Sequence, residues 1–509
     1  MVQGVRVSDQ RAEAYVRRLA EAELRRAAQQ ARAFDAGVEA GGQPDPGPLV
    51  DGTLTKVVRA GWILIAAGAL DQEFFDHFTA DFAAAVRVRS RVLQDWERSG
   101  RRRPAMFLPP GRPPLPEPPA PACPALSVTP IGRSLPVPSE RAPAALHFLS
   151  LVRTPAQALL TVTMRMYWPP DGSSTDLEIT GAGPHHLPYG ELAAADERGN
   201  RYTVRFDHGA GGTAAWHGLA ELTPVPPPSA RRLDLIADGV TLIELPLQAT
   251  PPGPPPMAEP VASSAAERLL VWEAERILAG EDPRGSTGAG RAGPEEIITV
   301  LTGAGVVEPG NPVGGQLAAL SQRFGGPRPG RPTPGTPSGP AAPNDPAAPP
   351  IPAPAALPAE WASVLAHRDA AAPAGGPEVF APVAVILPEL DGTQLVLAGL
   401  SVTGGQSHLH VISSGLPIRT ARYTDRWLPG FSWWLRDHSG HWHLGATGLP
   451  DTVGDGLQAF GLRWTPPLAA VPGPAEVVVT GSGARVRATI AIPARPSPAD
   501  PVSPGTGGG

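Results

Sequence analysis

Four short landmarks occur twice in this chain, in the same order and with similar gaps. Leu19-Ala20-Glu21-Ala22-Glu23 matches Val271-Trp272-Glu273-Ala274-Glu275, and Ala67-Gly68-Ala69-Leu70-Asp71 matches Ala304-Gly305-Val306-Val307-Glu308. Asp196-Glu197-Arg198-Gly199 matches Asp437-His438-Ser439-Gly440, and Thr223-Pro224 matches Thr465-Pro466. From each Thr to the next landmark glycine, Gly239 or Gly481, is 16 residues, and an alternating stretch follows both glycines. A generic turn–strand–proline pattern would account for the later landmarks but not for the helical ones. The pattern therefore reads as one module of about 240 residues present twice, far longer than a solenoid repeat.

Proline and glycine set the boundaries. The 66 Pro and 58 Gly of the 509 residues are concentrated in blocks, and proline fixes φ and removes a backbone donor, so such blocks read as stiff linkers. The expected organisation is a helical region at 1–103, a linker at 104–124, a β-sandwich at 125–249 and a linker at 250–262. A second helical region at 263–324, a linker at 325–376, a second sandwich at 377–493 and a disordered tail at 494–509 complete it. The fold class expected is α+β and multidomain, with two immunoglobulin-like antiparallel β-sandwiches, each preceded by a small helical segment, between Pro/Gly-rich disordered linkers.

Local signals place the elements. Helices are expected at 9–34, 53–67 and 72–98, with Gly68 as a left-handed C-cap and Asp71 as the N-cap of the third. Ser264 and Glu267 have capping-box spacing and open a helix. Further helical segments are expected at 294–303, 313–323 and around Trp361–His367. Short alternating runs after residue 125, such as Tyr202, Val204 and Phe206, predict strands with one face on a core and the other in water. The Asp-x-x-Gly landmarks fit hairpin turns, in which Asp bonds its own backbone and Gly supplies positive φ.

Charge and composition narrow the function classes. The net charge of −6 argues against a nucleic-acid binder. Lys56 is the only lysine among 42 basic residues, a bias that points to a high-GC, actinobacterial genome and lowers the weight of any arginine cluster. Cys123 is the only cysteine, so no internal disulfide supports the fold. No apolar run approaches the length of a membrane span, and the N-terminus carries no signal-peptide pattern, so a cytoplasmic location is expected.

No nucleotide-binding glycine motif, serine elbow or other catalytic signature is present, and no cofactor is expected. Two His-x-His pairs are the candidate metal ligands: His408 with His410, and His441 with His443. In a strand, positions i and i+2 share a face, so two such strands side by side would offer four imidazoles. The alternative is that Leu409, Val411, Trp442 and Leu444 occupy the buried faces and leave these histidines in water. Trp433 and Trp434 are the candidate partner-binding residues, because neighbours in a strand cannot both point inward. The function expected is a non-catalytic interaction or scaffold protein with protein partners of unknown identity. The alternatives are binding of a metal or carbohydrate on the His/Trp-rich second sandwich, and an enzyme of unrecognised type.

Overall fold

The computed structural model describes residues 9–39, 47–89, 126–137, 144–166, 192–211, 215–247, 254–280, 293–325, 357–368, 378–403, 406–415, 431–447, 451–452, 457–469 and 471–492. Among these residues the chain is α+β, with two antiparallel β-sheets and seven helices. It divides into two compact units. One gathers both helical regions, and the other gathers both sheets with one short helix. Helices thus assemble with helices, and strands with strands and one short helix. The expected linkers at 104–124 and across most of 325–376, the tail and Cys123 lie outside the described residues.

In the helical unit, α1 (Gln10–Glu39), α2 (Gly47–Ala66) and α3 (Gln72–Arg89) pack together, as do α4 (Ala265–Leu278), α5 (Pro294–Gly303) and α6 (Pro312–Gly325). The caps follow the sequence closely. Gly68 and Gly305 stand at φ 69° and 70°. At both glycines the chain after the helix folds back onto the last turn: Ala69 and Leu70 donate to the Leu64 carbonyl, and Val306 and Val307 to that of Leu301. The next helix opens on a short side chain in each case. Asp71 Oδ1 accepts from Phe74 N at 3.1 Å, and Asn311 Oδ1 from Val313 N at 3.0 Å. The Ser264–Glu267 capping box is complete. Gly61 is required by a close approach, since a Cβ there would lie 2.0 Å from the Phe75 ring.

In the β unit, the first sheet comprises β1 (Ser127–Val137), β2 (Ala144–Arg153), β3 (Ala158–Met166), β4 (Leu192–Asp196), β5 (Arg201–Gly211), β6 (Ala215–Thr223), β7 (Arg232–Ala237) and β8 (Val240–Pro246). A short strand, β9 (Met257–Pro260), and helix α7 (Ala359–His367) precede the second sheet. That sheet comprises β10 (Val379–Ile386), β11 (Gln394–Thr403), β12 (Gln406–Ser414), β13 (Ser432–Arg436), β14 (Trp442–Thr447), β15 (Asp451–Thr452), β16 (Leu457–Thr465), β17 (Gly473–Thr480) and β18 (Ala484–Ile492).

The strand orders correspond. The first sheet runs β1-β2-β3-β6-β5-β4-β7-β8 and the second β10-β11-β12-β16-β14-β13-β17-β18. In the second sheet the path continues from β18 to β9, and β15 pairs with β16 off it; in both sheets the eight corresponding strands bring their ends together, β1 to β8 and β10 to β18. The irregularities correspond too. Register shifts follow Pro130 in β1 and Pro382 in β10, and fall at Leu149 in β2 and Ala398 in β11. Both Thr-Pro peptides, Thr223-Pro224 and Thr465-Pro466, are cis.

One departure concerns the linker expected at 250–262. Its residues Met257–Pro260 form β9, antiparallel to β18 at the edge of the second sheet, with Glu259 opposite Arg485 and its carboxylate 3.6 Å from Arg487. Pro260 sits at the last position of this edge strand, where its missing N–H does least harm.

Each sheet encloses its own apolar core, with Leu146, Phe148, Leu160 and Leu233 in the first and Leu409, Trp433, Leu462 and Val477 in the second. A third cluster draws on both sheets: Leu126, Val152, Leu159 and Leu219 meet Val396, Ala398, Ile412 and Leu457. The two sheets therefore pack against each other through β1, β2 and β3 on one side and β10 and β11 on the other. The approach is close at the bulges, where a Cβ on Gly399 would lie 2.5 Å from Leu149 Cδ1. The Ser150 hydroxyl donates to the Ala398 carbonyl beside it. Sandwiches held apart by proline would expose these faces; here each covers the other.

Candidate functional site

The sequence candidates fall into two separate places. β16 lies between β12 and β14, pairing with both. His408 and His410 are therefore about 10 Å of lateral spacing from the strand that carries His443, at the usual interstrand distance. The four imidazoles do not share one locus.

His408 and His410 point away from the second sheet's core, as the alternation predicts, but not into water. Both are buried, at 8% and 7% exposure, because the first sheet covers this face. There they meet His217 of β6, whose ring stacks on His408 at 4.2 Å between centroids and lies 5.4 Å from His410. The Thr163 hydroxyl sits between His217 Nδ1 at 3.2 Å and His410 Nε2 at 3.1 Å. Another buried histidine, His147, stacks on Phe380 at 3.6 Å and shares a hydrogen bond with Ser134. Cations also border the cluster: Arg463 pairs with His408 across the strands, and Arg165 forms an ion pair with Glu378 at 2.7 Å.

Burial dominates the chemistry of this cluster. It pushes His147 and His408 down to about 4, with Arg463 adding to the effect on His408. Burial and then the neighbouring His408 push His410 to about 3. His217 is held well below the ordinary imidazole value by burial first and then by His408 and His410. Desolvation disfavours the charged form, and no carboxylate compensates. The cluster is a neutral polar filling between two sheets.

The second place is the β13–β14 turn. Its counterpart in the first sheet, the β4–β5 turn, shows what the Asp-x-x-Gly landmark does. Asp196 Oδ1 accepts from Arg198 N and Asn200 N at 3.0 and 2.9 Å. Its Oδ2 accepts from Asn200 Nδ2 at 2.7 Å and from the Tyr202 hydroxyl at 2.8 Å. Burial raises the Asp196 pKa, but these hydrogen bonds outweigh it and hold the carboxyl at about 2. Gly199 supplies φ 83°.

In the second sheet the backbone is the same and the side chains differ. Asp437 Oδ1 accepts from His441 N at 2.9 Å, and Gly440 supplies φ 85°. The positions of Asn200 and Tyr202 are taken by His441 and His443. Their ring nitrogens face Asp437 Oδ2 at 3.6 Å from His441 Nδ1 and 3.5 Å from His443 Nε2. His441 is half-exposed, whereas His443 is buried. His443 Nδ1 lies 2.7 Å from the Pro466 carbonyl. Burial lowers the His443 pKa against the opposing pull of that carbonyl and of Asp437. Burial raises Asp437, but the His441 N–H and the two imidazoles together bring it below the ordinary value.

Helix α7 closes over this turn. Trp442 N donates to Ser363 Oγ at 3.1 Å, and the His367 ring lies 4.8 Å from that of His441. The same helix packs on β14. Both candidate partner-binding residues are buried, Trp433 at 1% and Trp434 at 6% exposure. Trp433 lies in the core of the second sheet, and Trp434 meets Trp442 edge-to-face at 6.2 Å on the opposite face. Strand neighbours do point to opposite faces, but both faces are covered here, so neither indole is presented to a partner.

No protein-family model matches the chain, and no curated protein is similar to it in sequence. Among solved structures, the crystal structure of the conserved domain protein from Bacillus anthracis aligns at 4% identity. It covers 69% of this chain and 77% of that chain, with a TM-score of 0.15. A score that low carries no argument about fold or function.

Proposed function

We propose that the chain is a non-catalytic interaction protein, built by duplication of one helical-plus-β module whose two sheets now form an intramolecular pseudo-dimer. The observation that carries this reading is the correspondence of the sheets. Strand order, bulge positions and the Asp-capped turn agree, and matching strands face one another, β1 toward β10 and β2 toward β11. Self-complementary packing of equivalent surfaces is the signature of a two-fold homodimer interface. A fused homodimer supplies a large rigid body from a small module, which suits display of binding surfaces. The polar groups that chemistry would use, among them His217, His408, His410 and Thr163, are spent on packing between the sheets. The net charge of −6 favours protein over nucleic acid as the partner.

The test is quantitative affinity capture with the full chain as bait, against a bait whose sheet–sheet packing is broken by Gly399→Trp. The reading expects a saturable protein partner retained by the first bait and lost by the second. Multiple-turnover conversion of a small molecule by the purified chain, well above one product per chain, would contradict it.

A further inference from the structure

We propose, on the reading of the chain as an interaction protein, that the exposed edge of β8 accepts a short, basic, extended strand from a partner protein. The two sheets differ at one end. In the second, β9 pairs antiparallel with Ala484–Arg487, the first residues of β18. Val261 N extends the pairing by donating to the Gly483 carbonyl at 3.1 Å. In the first, β8 holds the place of β18, and among the described residues no strand pairs with its outer edge. The approach of β1 to β8 is matched by that of β10 to β18, and β18 still takes a strand.

An edge strand presents unpaired N–H and C=O groups, and natural edges are guarded by lysine, proline or a covering segment. β9 covers β18 and itself ends on Pro260. β8 begins Val240-Thr241-Leu242-Ile243, with no proline or basic residue before Pro246. Three of those four residues are β-branched and suit a strand. Val240, at 63% exposure, is the most exposed large apolar side chain among the described residues. Exposure falls along the strand to a buried Leu245, so the open stretch is its beginning, the part that β9 covers in β18. β8 also bulges, because Leu242 has no partner in β7. An added strand must follow that bend, which favours an occupant as short as β9.

Charge selects the occupant. The β17–β18 hairpin carries Arg485 and Arg487 against Glu476, and the strand that covers it brings Glu259, 3.6 Å from Arg487. The β7–β8 hairpin has the opposite balance, with Asp234, Asp238 and Glu244 against Arg232. Arg232 lies 3.1 Å from Asp234 and 3.4 Å from Glu244, and Asp238 stands exposed at the turn. A strand alternating apolar and basic residues complements this edge as the acidic β9 complements β18. Main-chain hydrogen bonds supply the affinity and the side chains the specificity.

The test uses the full chain and two labelled peptides, acetyl-Thr-Val-Arg-Val-Arg-Thr-amide and its counterpart with Glu in place of Arg, followed by fluorescence anisotropy at low salt. The basic peptide should bind saturably and about 10-fold more tightly than the acidic one. Val240→Lys, at an exposed side chain, sets a guard charge on the edge and should weaken binding about 10-fold or more. Val240→Thr keeps the strand and its backbone groups and should stay within about 3-fold of the parent. Hydrogen exchange should show new protection over residues 240–244 in the complex. Equal binding of the two peptides, or binding unchanged by Val240→Lys, overturns the proposal. So does binding that appears only after removal of residues 1–8, or self-association of the parent chain that Val240→Lys abolishes, since either means a different occupant. Affinity capture with a Val240→Lys bait separates the two readings: a protein partner that this bait still retains leaves the interaction role standing and removes the β8 edge from it.

Discussion

Acid should dismantle the β unit well before its carboxylates titrate. Three histidines, His147, His408 and His410, are buried neutral between the sheets, with folded-state pKa values of about 4 or lower, and His217, largely covered beside them, is held well below the ordinary range. In the unfolded chain each titrates near 6.5. A folded pKa below the unfolded one means that the unfolded state binds more protons as pH falls. The stability is therefore intact above about pH 6.5 and drains between that value and the folded pKa values. At about pH 5 the gap is about 1.5 units, or about 2 kcal/mol for each of His147, His408 and His410 and about 6 kcal/mol for the three, and His217 adds in the same direction. That is comparable to the whole stability of a typical domain, about 5–15 kcal/mol. His443, also lowered by burial, adds in the same direction. The assay is urea unfolding followed by tryptophan fluorescence from about pH 7.5 to 5. Stability should fall with a slope corresponding to uptake of about three to four protons near pH 5.5. Replacing His217 and His410 together by Leu should remove about half of that slope. A slope of one proton or less would refute the idea that these rings are buried uncharged.

Gly399→Ala should cost the β unit about 1–3 kcal/mol in urea unfolding, because the new methyl meets Leu149. Ser264→Ala should cost about 1 kcal/mol through loss of the α4 cap, and Ser264→Asp should restore most of it. Reversing either Arg165 or Glu378 alone should destabilise, and swapping both should recover stability. The coupling in a double-mutant cycle should be about 0.5–1 kcal/mol for this partly buried pair.

Much of the local structure was legible in the residues. Gly68, Asp71, Ser264 with Glu267, Gly305 and the two Asp-x-x-Gly turns each act as their side-chain chemistry requires. Caps and turns are decided within a few residues, so sequence spacing carries them. Strand β9 was not legible: Met257-Ala258-Glu259-Pro260 has neither β-branched residues nor a turn, and only the open edge of β18 makes it a strand. The sheet–sheet packing was missed because alternation was read as one wet face. A usable signal existed, since residues 144–152, 158–164, 394–403 and 406–414 contain no Asp, Glu, Lys or Arg. Strands without a charge on either face are strands covered on both. His217, alone in sequence between Trp216 and Gly218, gained its role only when β6 met β12. Of the four candidate metal ligands, His441 and His443 lie beside Asp437, with the His367 ring near that of His441, while His408 and His410 lie elsewhere.

The account stands on the two sheets packing face to face within one chain, and a designed disulfide reports this directly. A Cβ placed on Gly399 lies 2.8 Å from Leu149 Cβ, so a shift of about 0.7 Å between the strands brings it to the separation of about 3.5–4.5 Å that a disulfide bridges. In a chain with Cys123→Ser, the pair Leu149→Cys and Gly399→Cys should oxidise to an intramolecular crosslink, detected by peptide mass spectrometry in the monomer. Two free thiols after mild oxidation of the folded protein, or crosslinks only between chains, would contradict it.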